Sequence, residues 1–233
     1  MDKLKIVLVH GAFGDGSGWC KVLKQLREEG HCVIAAQNPL SSFANDVETT
    51  NRLVDMQNGP VILVGHSYGG MVITAVANIN KNVKGLVYVC AAAPDKGESL
   101  ADLLGKEPTP GSKFFTKDKY DRFWIDNSHF SEVFAHDCKE APELALVQNP
   151  ISLNSFTGKL EGTPAWKSIP SWYVLGEQDN AINPITQKFM SERIKAKVTR
   201  LPSSHASMVS HPMEVSNVIK DAFKSLSSCP ASK

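Results

Sequence analysis

The chain has 233 residues, of which 42% are hydrophobic and 21% are charged, and its formal net charge is +1 at pH 7. This is a globular composition, so we expect a single domain that spans residues 1–233. The near-neutral charge argues against nucleic-acid binding, and the apolar runs are too short to cross a bilayer, so neither partner is expected. The five scattered cysteines have no metal-ligand spacing, which indicates reduced thiols in a cytoplasmic protein without a metal site.

Short apolar strands alternate with helices in the N-terminal part of the chain. The predicted strands, rich in β-branched residues, are residues 4–10, 31–36, 60–65 and 83–90. The predicted helices between them are residues 19–29, about 45–57 with Asn45 or Asp46 as the N-cap, and 67–80. Strands that alternate with helices predict a parallel sheet with helices on both of its faces.

The alternation stops after the fourth strand. Residues 95–167 are rich in proline, lysine, aspartate and aromatic residues, and they contain helical fragments but no strand-like run. We interpret them as a helical cap that lies on the same core. The last predicted elements are strands at 171–175 and 197–201, helices at 184–195 and 212–226, and a frayed tail. The fold class is therefore α/β, with a sheet of about six parallel strands.

A serine between glycines stands where the third strand meets the following helix. Residues 65–69, Gly-His-Ser-Tyr-Gly, match the pattern G-x-S-x-G in the strand-turn-helix setting that the motif requires. The sharp turn strains the serine backbone, and glycines near it remove steric clashes. Unpaired N–H groups at the helix start favour a negative charge beside Ser67. The motif predicts a nucleophile, and a plain turn with Ser67 as the helix N-cap is the alternative.

A serine hydroxyl needs a histidine base, which in turn needs an orienting carboxylate. In this setting the expected chain order is serine, acid, histidine. Only two of the seven histidines, His205 and His211, follow the last two strands, and His205 is the expected base because it directly follows a strand. Asp179 follows the penultimate strand and is the expected acid, with Glu177 and Asp95 as alternatives.

The loop after the first strand, residues 10–14, is expected to help bind the oxyanion that forms on the substrate. The N–H of Tyr68 is one expected donor, and the N–H of Ala12 is the other, with that of Phe13 as its alternative. Phe13 and Met208 are also expected to line the substrate pocket. Seven aromatic residues of the cap either line that pocket or anchor the cap to the core: Phe114, Phe115, Tyr120, Phe123, Trp124, Phe130 and Phe134.

Together these motifs resemble the α/β-hydrolase superfamily, and within it the small esterase group of plant methyl esterases, hydroxynitrile lyases and their bacterial relatives. The segments that carry the resemblance are residues 9–12, 65–70, 176–179 and 204–212. The resemblance implies the α/β-hydrolase fold. It also implies a triad of Ser67, Asp179 and His205 with Ala12 and Tyr68 as oxyanion donors, in agreement with the residues chosen above.

The resemblance has further consequences for fold and chemistry. Full-length members begin with an antiparallel hairpin, which residues 1–3 are too few to form, so we expect all strands of the sheet to be parallel. Hydroxynitrile lyases of this group carry a lysine directly after the catalytic histidine, and Ala206 at that position argues against such a lyase. Haloalkane dehalogenases use an aspartate nucleophile, so Ser67 argues against that class.

The sequence therefore predicts a serine esterase that cleaves a small carboxylic ester through an acyl-enzyme intermediate. This reaction needs no cofactor, and a small-molecule ester is the expected partner. Two alternatives stay open. One is a ligand-sensing protein with the same fold and little turnover, and the other is a perhydrolase or cofactor-free oxygenase that keeps the triad. Monomer and homodimer are both compatible with the sequence.

Overall fold

A six-stranded parallel sheet forms the centre of the protein. The computed structural model describes residues 4–227, and its strands, numbered in chain order, are β1 (Lys5–Val9), β2 (Val33–Ala35), β3 (Val61–His66), β4 (Val83–Val89), β5 (Phe115–Lys117), β6 (Arg122–Ile125), β7 (Ile151–Ser152), β8 (Ser171–Gly176) and β9 (Lys197–Leu201). The central sheet has the order β2-β1-β3-β4-β8-β9, and each neighbouring pair is parallel. Every residue of β3 and β8 is buried, as expected of a parallel sheet covered on both faces.

Helices flank this sheet in two layers. They are α1 (Cys20–Glu28), α2 (Phe43–Asp55), α3 (Gly69–Ile79), α4 (Leu100–Leu104), α5 (Ala141–Leu146), α6 (Leu153–Thr157), α7 (Pro184–Arg193), α8 (Ser207–Ser210) and α9 (Pro212–Ser227). Helix α1 packs against α9, and α2 packs against α3. Shorter 3₁₀ helices cover Gly16–Trp19, Pro110–Phe114, Asn127–His129 and Ala165–Lys167, and a π-helical turn covers Ser131–Ala135.

The predicted α/β fold class and the parallel sheet of about six strands are confirmed for the described residues. The strand order also places β3, which leads into the G-x-S-x-G motif, between β1 and β4. The expectation of a missing hairpin rested on residues 1–3, and the expected frayed tail falls on residues 228–233. Both segments lie outside the described residues.

The start of helix α2 differs from the prediction. The helix begins at Phe43, and the Ser42 side chain accepts a hydrogen bond from the Asn45 N–H at 3.2 Å. Ser42 is therefore the N-cap, and the expected caps Asn45 and Asp46 lie inside the first turn and a half. Any of these short polar residues can cap a helix, so the sequence alone does not determine which of them does. Asp46 is instead buried.

The segment between β4 and β8 contains strands, so the prediction of a purely helical cap was wrong. Strands β5, β6 and β7 form a three-stranded antiparallel sheet, in which Phe115 pairs with Ile125 and Phe123 pairs with Ile151. Strands of two to four residues are too short to show alternation in the sequence. We keep the name cap for residues 95–167.

Close backbone packing explains the glycines around the serine motif. A Cβ atom at Gly65 would lie 2.6 Å from the carbonyl oxygen of Gly69, and one at Gly70 would lie 2.1 Å from that of Ala92. Real Cβ atoms do not approach other atoms this closely. The glycines therefore allow α3 to start directly against the ends of β3 and β4.

Replacing Gly70 by alanine tests this packing. Gly70→Ala is expected to lower the free energy of unfolding by about 1–3 kcal/mol, because its methyl group would overlap the Ala92 carbonyl and force the backbone to shift. Urea denaturation followed by circular dichroism measures the change. Gly14→Ala is the control, since no atom lies within 4 Å of its Cβ position. The packing argument would be contradicted if Gly70→Ala left the free energy of unfolding unchanged, or if both variants lowered it equally.

Candidate active site

Ser67 occupies a strained turn at the carboxyl end of β3. Its φ angle is 54°, in the left-handed region that side chains other than glycine rarely adopt. Three backbone hydrogen bonds hold it there: the Ser67 N–H donates to Val89 at 3.2 Å, and the Ser67 carbonyl accepts from Gly70 and Ala92, both at 3.0 Å. The strain is thus maintained by the helix that follows and by β4 and the loop after it, as expected of a nucleophile elbow.

A buried histidine–aspartate pair lies at the same edge of the sheet. His205 follows β9 and Asp179 follows β8, and His205 Nδ1 donates to Asp179 Oδ2 at 2.6 Å. Both side chains are at most 1% exposed. Because Nδ1 is engaged by Asp179, Nε2 is the ring nitrogen that is left to interact with Ser67. This is the orientation that a general base requires.

The carboxylate of Asp179 is held by further donors. Its Oδ1 accepts from the N–H groups of Ala181 at 2.7 Å and Ile182 at 2.9 Å, and its Oδ2 also accepts from Gln187 Nε2 at 2.7 Å. Four hydrogen bonds, counting that from His205, satisfy a carboxylate that is excluded from water. The acid is therefore fixed in one position as an orienting group for His205.

The rival catalytic residues lie elsewhere. His211 Nδ1 is 3.7 Å from a carboxylate oxygen of Asp137 on the cap, and Glu177 faces Arg200 at 3.7 Å. Asp95 Oδ1 pairs with Lys167 at 3.2 Å on the surface. None of the three rivals lies on the cavity that contains Ser67 and His205.

Two backbone N–H groups beside Ser67 are available for an oxyanion. Neither the Ala12 nor the Tyr68 N–H donates to a protein acceptor within residues 4–227. The alternative donor, the N–H of Phe13, is already bonded to the carbonyl oxygen of Asn149 at 3.0 Å. A Cβ atom at Gly11 would lie 2.5 Å from Ser67 Cβ, so the glycine lets this loop press against the elbow. The geometry favours Ala12 over Phe13.

Ser67 and His205 open into a largely apolar cavity. The cavity is narrow, and its volume is only about 20 Å³. The remaining lining residues are apolar: Ala12, Phe13, Leu100, Leu104, Phe115, Phe134, Phe156, Ala181 and Ile182. Phe13 thus lies where the sequence analysis expects it. Met208 lies on a neighbouring cavity with His10 and His66, beyond a wall of Phe13 and Phe134.

Several lining residues escaped the sequence analysis. Leu100 and Leu104 are four residues apart on α4, a helical spacing that offered a signal. Phe156 follows a cap strand of two residues, and nothing in its sequence context indicates a pocket. Of the predicted cap aromatics, Phe115 and Phe134 line the cavity, whereas Tyr120 is 74% exposed.

Two buried, neutral histidines, His66 and His10, form hydrogen bonds to the backbone around the site. Burial, with a smaller contribution from the charge of His205, lowers the pKa of His66 well below its usual value, so its Nε2–H donates to the His205 carbonyl oxygen at 2.9 Å. Burial also lowers the pKa of His10, whose Nε2 accepts from the Asn38 N–H at 2.9 Å. His10 Nδ1 must then carry the hydrogen and donate to Gly11 at 2.8 Å. The sequence analysis assigned no role to either histidine.

The described residues contain no cluster of three or more His, Cys, Asp or Glu side chains that could hold a metal ion. The cysteines among residues 4–227, Cys20, Cys32, Cys90 and Cys138, are unpaired thiols. Within the same range no helix is long and apolar enough to cross a membrane.

Comparison with known proteins relates the whole architecture to esterases and other hydrolases. The chain is 41% identical to the carbendazim hydrolyzing esterase of Nocardioides sp. (strain SG-4G) over 119 residues, which are 45% of this chain and 48% of that enzyme, so the match spans about half of that relative. It is 27% identical to Methylesterase 2 of Arabidopsis thaliana over 237 residues, 84% of this chain and 86% of the plant protein. The structure is similar to that of a pyrethroid hydrolase from Sphingobium faniae JZ-2, with a TM-score of 0.84, 22% identity, and coverage of 97% of this chain and 100% of that one.

The family assignment rests on the larger part of the chain. Residues 6–218 match the model of the alpha/beta hydrolase family. This range includes all six strands of the central sheet, apart from Lys5 at the start of β1, together with Ser67, Asp179 and His205. The predicted resemblance to plant methyl esterases and related hydrolases is thereby confirmed. The chain belongs to the alpha/beta hydrolase family.

Proposed function

We propose that the protein is a serine carboxylic ester hydrolase with Ser67, His205 and Asp179 as its catalytic triad. The observation that carries the proposal is the buried His205–Asp179 hydrogen bond at the edge of the sheet where the strained Ser67 emerges. Relatives that are named esterases, one of them 41% identical over its matched part, support the same reaction class. The fold alone would not suffice, because this fold carries several chemistries.

The proposed reaction has two stages. In the first, Ser67 Oγ attacks the ester carbonyl carbon while His205 Nε2 takes the serine proton, and His205 then returns this proton to the leaving alcohol. In the second, His205 removes a proton from water, which attacks the acyl-enzyme and releases the carboxylic acid. Asp179 keeps the imidazole oriented and stabilises its charged form.

The oxyanion of each tetrahedral intermediate would be stabilised by backbone donors. The N–H groups of Ala12 and Tyr68 flank Ser67 and have no other protein acceptor within the described residues. The Tyr68 N–H also stands at the start of α3, where the helix dipole favours negative charge. Donors of this kind typically contribute a factor of about 10²–10³ each to the rate.

The cavity favours an uncharged substrate group. Apart from Ser67 and His205, its wall is aliphatic or aromatic, and none of these other lining residues has an ionisable side chain. Burying an ion there without a partner would cost several kcal/mol. The substrate is therefore a small ester whose enclosed part is neutral and apolar, which is also the character of the aromatic cap predicted from the sequence.

Removal of the nucleophile tests the reaction. Ser67→Ala is expected to lower the kcat for a short p-nitrophenyl ester by a factor on the order of 10⁶, because no other side chain on the cavity is positioned to form the acyl-enzyme. The unfolding curve should stay close to that of the wild type, and covalent labelling by a fluorophosphonate should be lost. Ser168→Ala, at an exposed serine, is the control and should behave as wild type. A kcat in Ser67→Ala within about 100-fold of the wild-type value would refute the assignment. A wild type that binds esters without turnover would favour the ligand-sensing alternative.

Substrate charge tests the character of the cavity. The kcat/KM for p-nitrophenyl butyrate, corrected for spontaneous hydrolysis, is expected to exceed that for p-nitrophenyl hemisuccinate by at least about 100-fold, because the second ester would bury a carboxylate among apolar side chains. Leu104→Lys places a cation on the cavity wall and should recover part of the loss. The control is Leu146→Lys, since Leu146 is 77% exposed and lies off this cavity. Equal rates for the two esters in the wild type would contradict the apolar assignment.

A further inference from the structure

A fully buried carboxylate joins the nucleophile elbow to the cap. Asp46, on α2, has no exposed surface. Its Oδ1 accepts from the Leu40 N–H at 2.8 Å, and its Oδ2 accepts from the Tyr68 hydroxyl at 2.7 Å and from the Ser155 hydroxyl at 3.0 Å. These three donors belong to three different parts of the molecule: the loop before α2, the elbow, and helix α6 of the cap.

The environment of Asp46 argues against a role in stability alone. Within residues 4–227 no lysine or arginine forms an ion pair with it, and its three partners are neutral donors. Burial therefore raises the pKa of Asp46, and the bonds from Tyr68, Leu40 and Ser155 oppose this shift only in part. A buried carboxylate without a cation is an expensive way to connect three segments, since apolar packing would serve the same end at lower cost.

The bond to Tyr68 reaches the residue that flanks the nucleophile. Burial and the charge of Asp46 raise the pKa of the Tyr68 phenol well above its usual value, so the phenol keeps its proton and acts as the donor. The ring is fully buried and packs edge-on against Phe43 with 6.3 Å between the ring centroids. A side chain held at its far end in this way resists rotation of its own peptide unit. That peptide unit carries the N–H proposed to bind the oxyanion.

The bond to Ser155 reaches the wall of the Ser67 cavity. The next residue, Phe156, lines that cavity. Two more bonds seat the same part of the cap on the core: Ser152 Oγ donates to the Ser41 carbonyl at 2.8 Å, and the Ser152 N–H donates to the Leu40 carbonyl at 2.9 Å. Asp46 thus touches both the oxyanion side and the cap side of the cavity.

We infer that Asp46 is a positioning residue for ester hydrolysis, which fixes the Tyr68 N–H against the oxyanion and holds the cap helix α6 over Ser67. The inference rests on the proposed function. Tyr68 is not among the residues that line the Ser67 cavity, so its hydroxyl acts through Asp46 and through its own peptide unit.

A double-mutant cycle tests the inference. Tyr68→Phe removes the phenol hydroxyl and keeps the backbone N–H, and Asp46→Asn keeps the shape of the side chain and removes its charge. Each is expected to lower kcat about 10-fold, less than the 10²–10³ that follows loss of a whole donor. Tyr68→Phe should leave KM nearly unchanged, whereas Asp46→Asn should also raise KM because it weakens the bond from Ser155. The kcat of the double variant should also be about 10-fold lower than that of the wild type, and not about 100-fold lower, because both substitutions break the same hydrogen bond between Tyr68 and Asp46.

A second readout separates positioning from a merely structural role. A trifluoromethyl ketone inhibitor forms a covalent adduct in the site. Ser67 Oγ attacks the ketone carbon, His205 takes the serine proton, and the ketone oxygen becomes an oxyanion in the same position. The affinity of the inhibitor is expected to fall in each variant by the same factor as kcat/KM. Ser155→Ala, which removes the hydroxyl that joins the cap helix α6 to Asp46, should raise KM and leave kcat within about 2-fold.

Tyr88→Phe is the matched control. Tyr88 is also fully buried, and its hydroxyl has one side-chain partner, Thr74 Oγ1, at 2.8 Å, away from the cavity. This variant should change the urea midpoint about as much as Tyr68→Phe does, with unchanged kcat and ketone affinity. Equal catalytic effects in both tyrosine variants, additive losses in the cycle, or full activity in Asp46→Asn would overturn the inference while wild-type turnover upholds the proposed function. A wild type without esterase activity would overturn both.

Discussion

The left-handed backbone of Ser67 is the constraint on which the site depends. Such a conformation costs about 1–3 kcal/mol and persists only where the surroundings enforce it. Here the enforcement comes from the neighbouring strand and its loop, through Val89 and Ala92, and from the first turn of α3, through Gly70. The elbow is therefore a property of the sheet as a whole. If β4 separated from β3, Ser67 would no longer be held in its strained conformation, and the start of α3, which carries the Tyr68 N–H, would no longer be fixed beside it.

The neutral ring of His66 lies beside His205, the side chain that is proposed to become positively charged during the reaction. In the proposed reaction His205 would become an imidazolium on taking the serine proton, and Asp179 at 2.6 Å is the carboxylate that would stabilise it. The ring of His66 lies only 4.7 Å from that of His205, measured between centroids. A second positive charge there would oppose the first, but burial lowers the pKa of His66 so that its ring stays neutral and serves as a hydrogen-bond donor. In the proposed mechanism, burial of His66 therefore leaves no second positive charge beside the imidazolium of His205.

The sequence was sufficient for the parts of the site that topology determines. Parallel strands bring their carboxyl ends to one edge, so Ser67, Asp179 and His205 come together once the strands β3, β8 and β9 are recognised. The cap could not be predicted in this way. Strand β7 has two residues and pairs with β6 across a long stretch of chain, and such pairing leaves no periodic pattern to read.

The role of Asp46 escaped prediction for a related reason. An aspartate close to a helix start is typical of an N-cap, and this is how its local sequence was interpreted. What buries Asp46 and gives it partners is contact with Tyr68 and with Ser155, which lies 109 residues further along the chain. Local propensity carries no information on contacts of that range, so the sequence predicts the Asp179–His205 pair but not the residue between elbow and cap.

The cap reaches both halves of the oxyanion site through hydrogen bonds, and this sets its relation to the chemistry. On one side the Phe13 N–H donates to Asn149 of the cap, which leaves the preceding N–H, that of Ala12, to face the cavity. Phe13 itself has a φ of 64° and its ring stacks on Phe115 of the cap at 5.7 Å, so cap packing maintains a second strained residue beside the nucleophile. On the other side Ser155 meets Tyr68 at Asp46. A displacement of the cap would therefore release the two loops that carry the proposed oxyanion donors, so in the proposed mechanism the roof of the pocket and the stabilisation of the transition state depend on the same contacts.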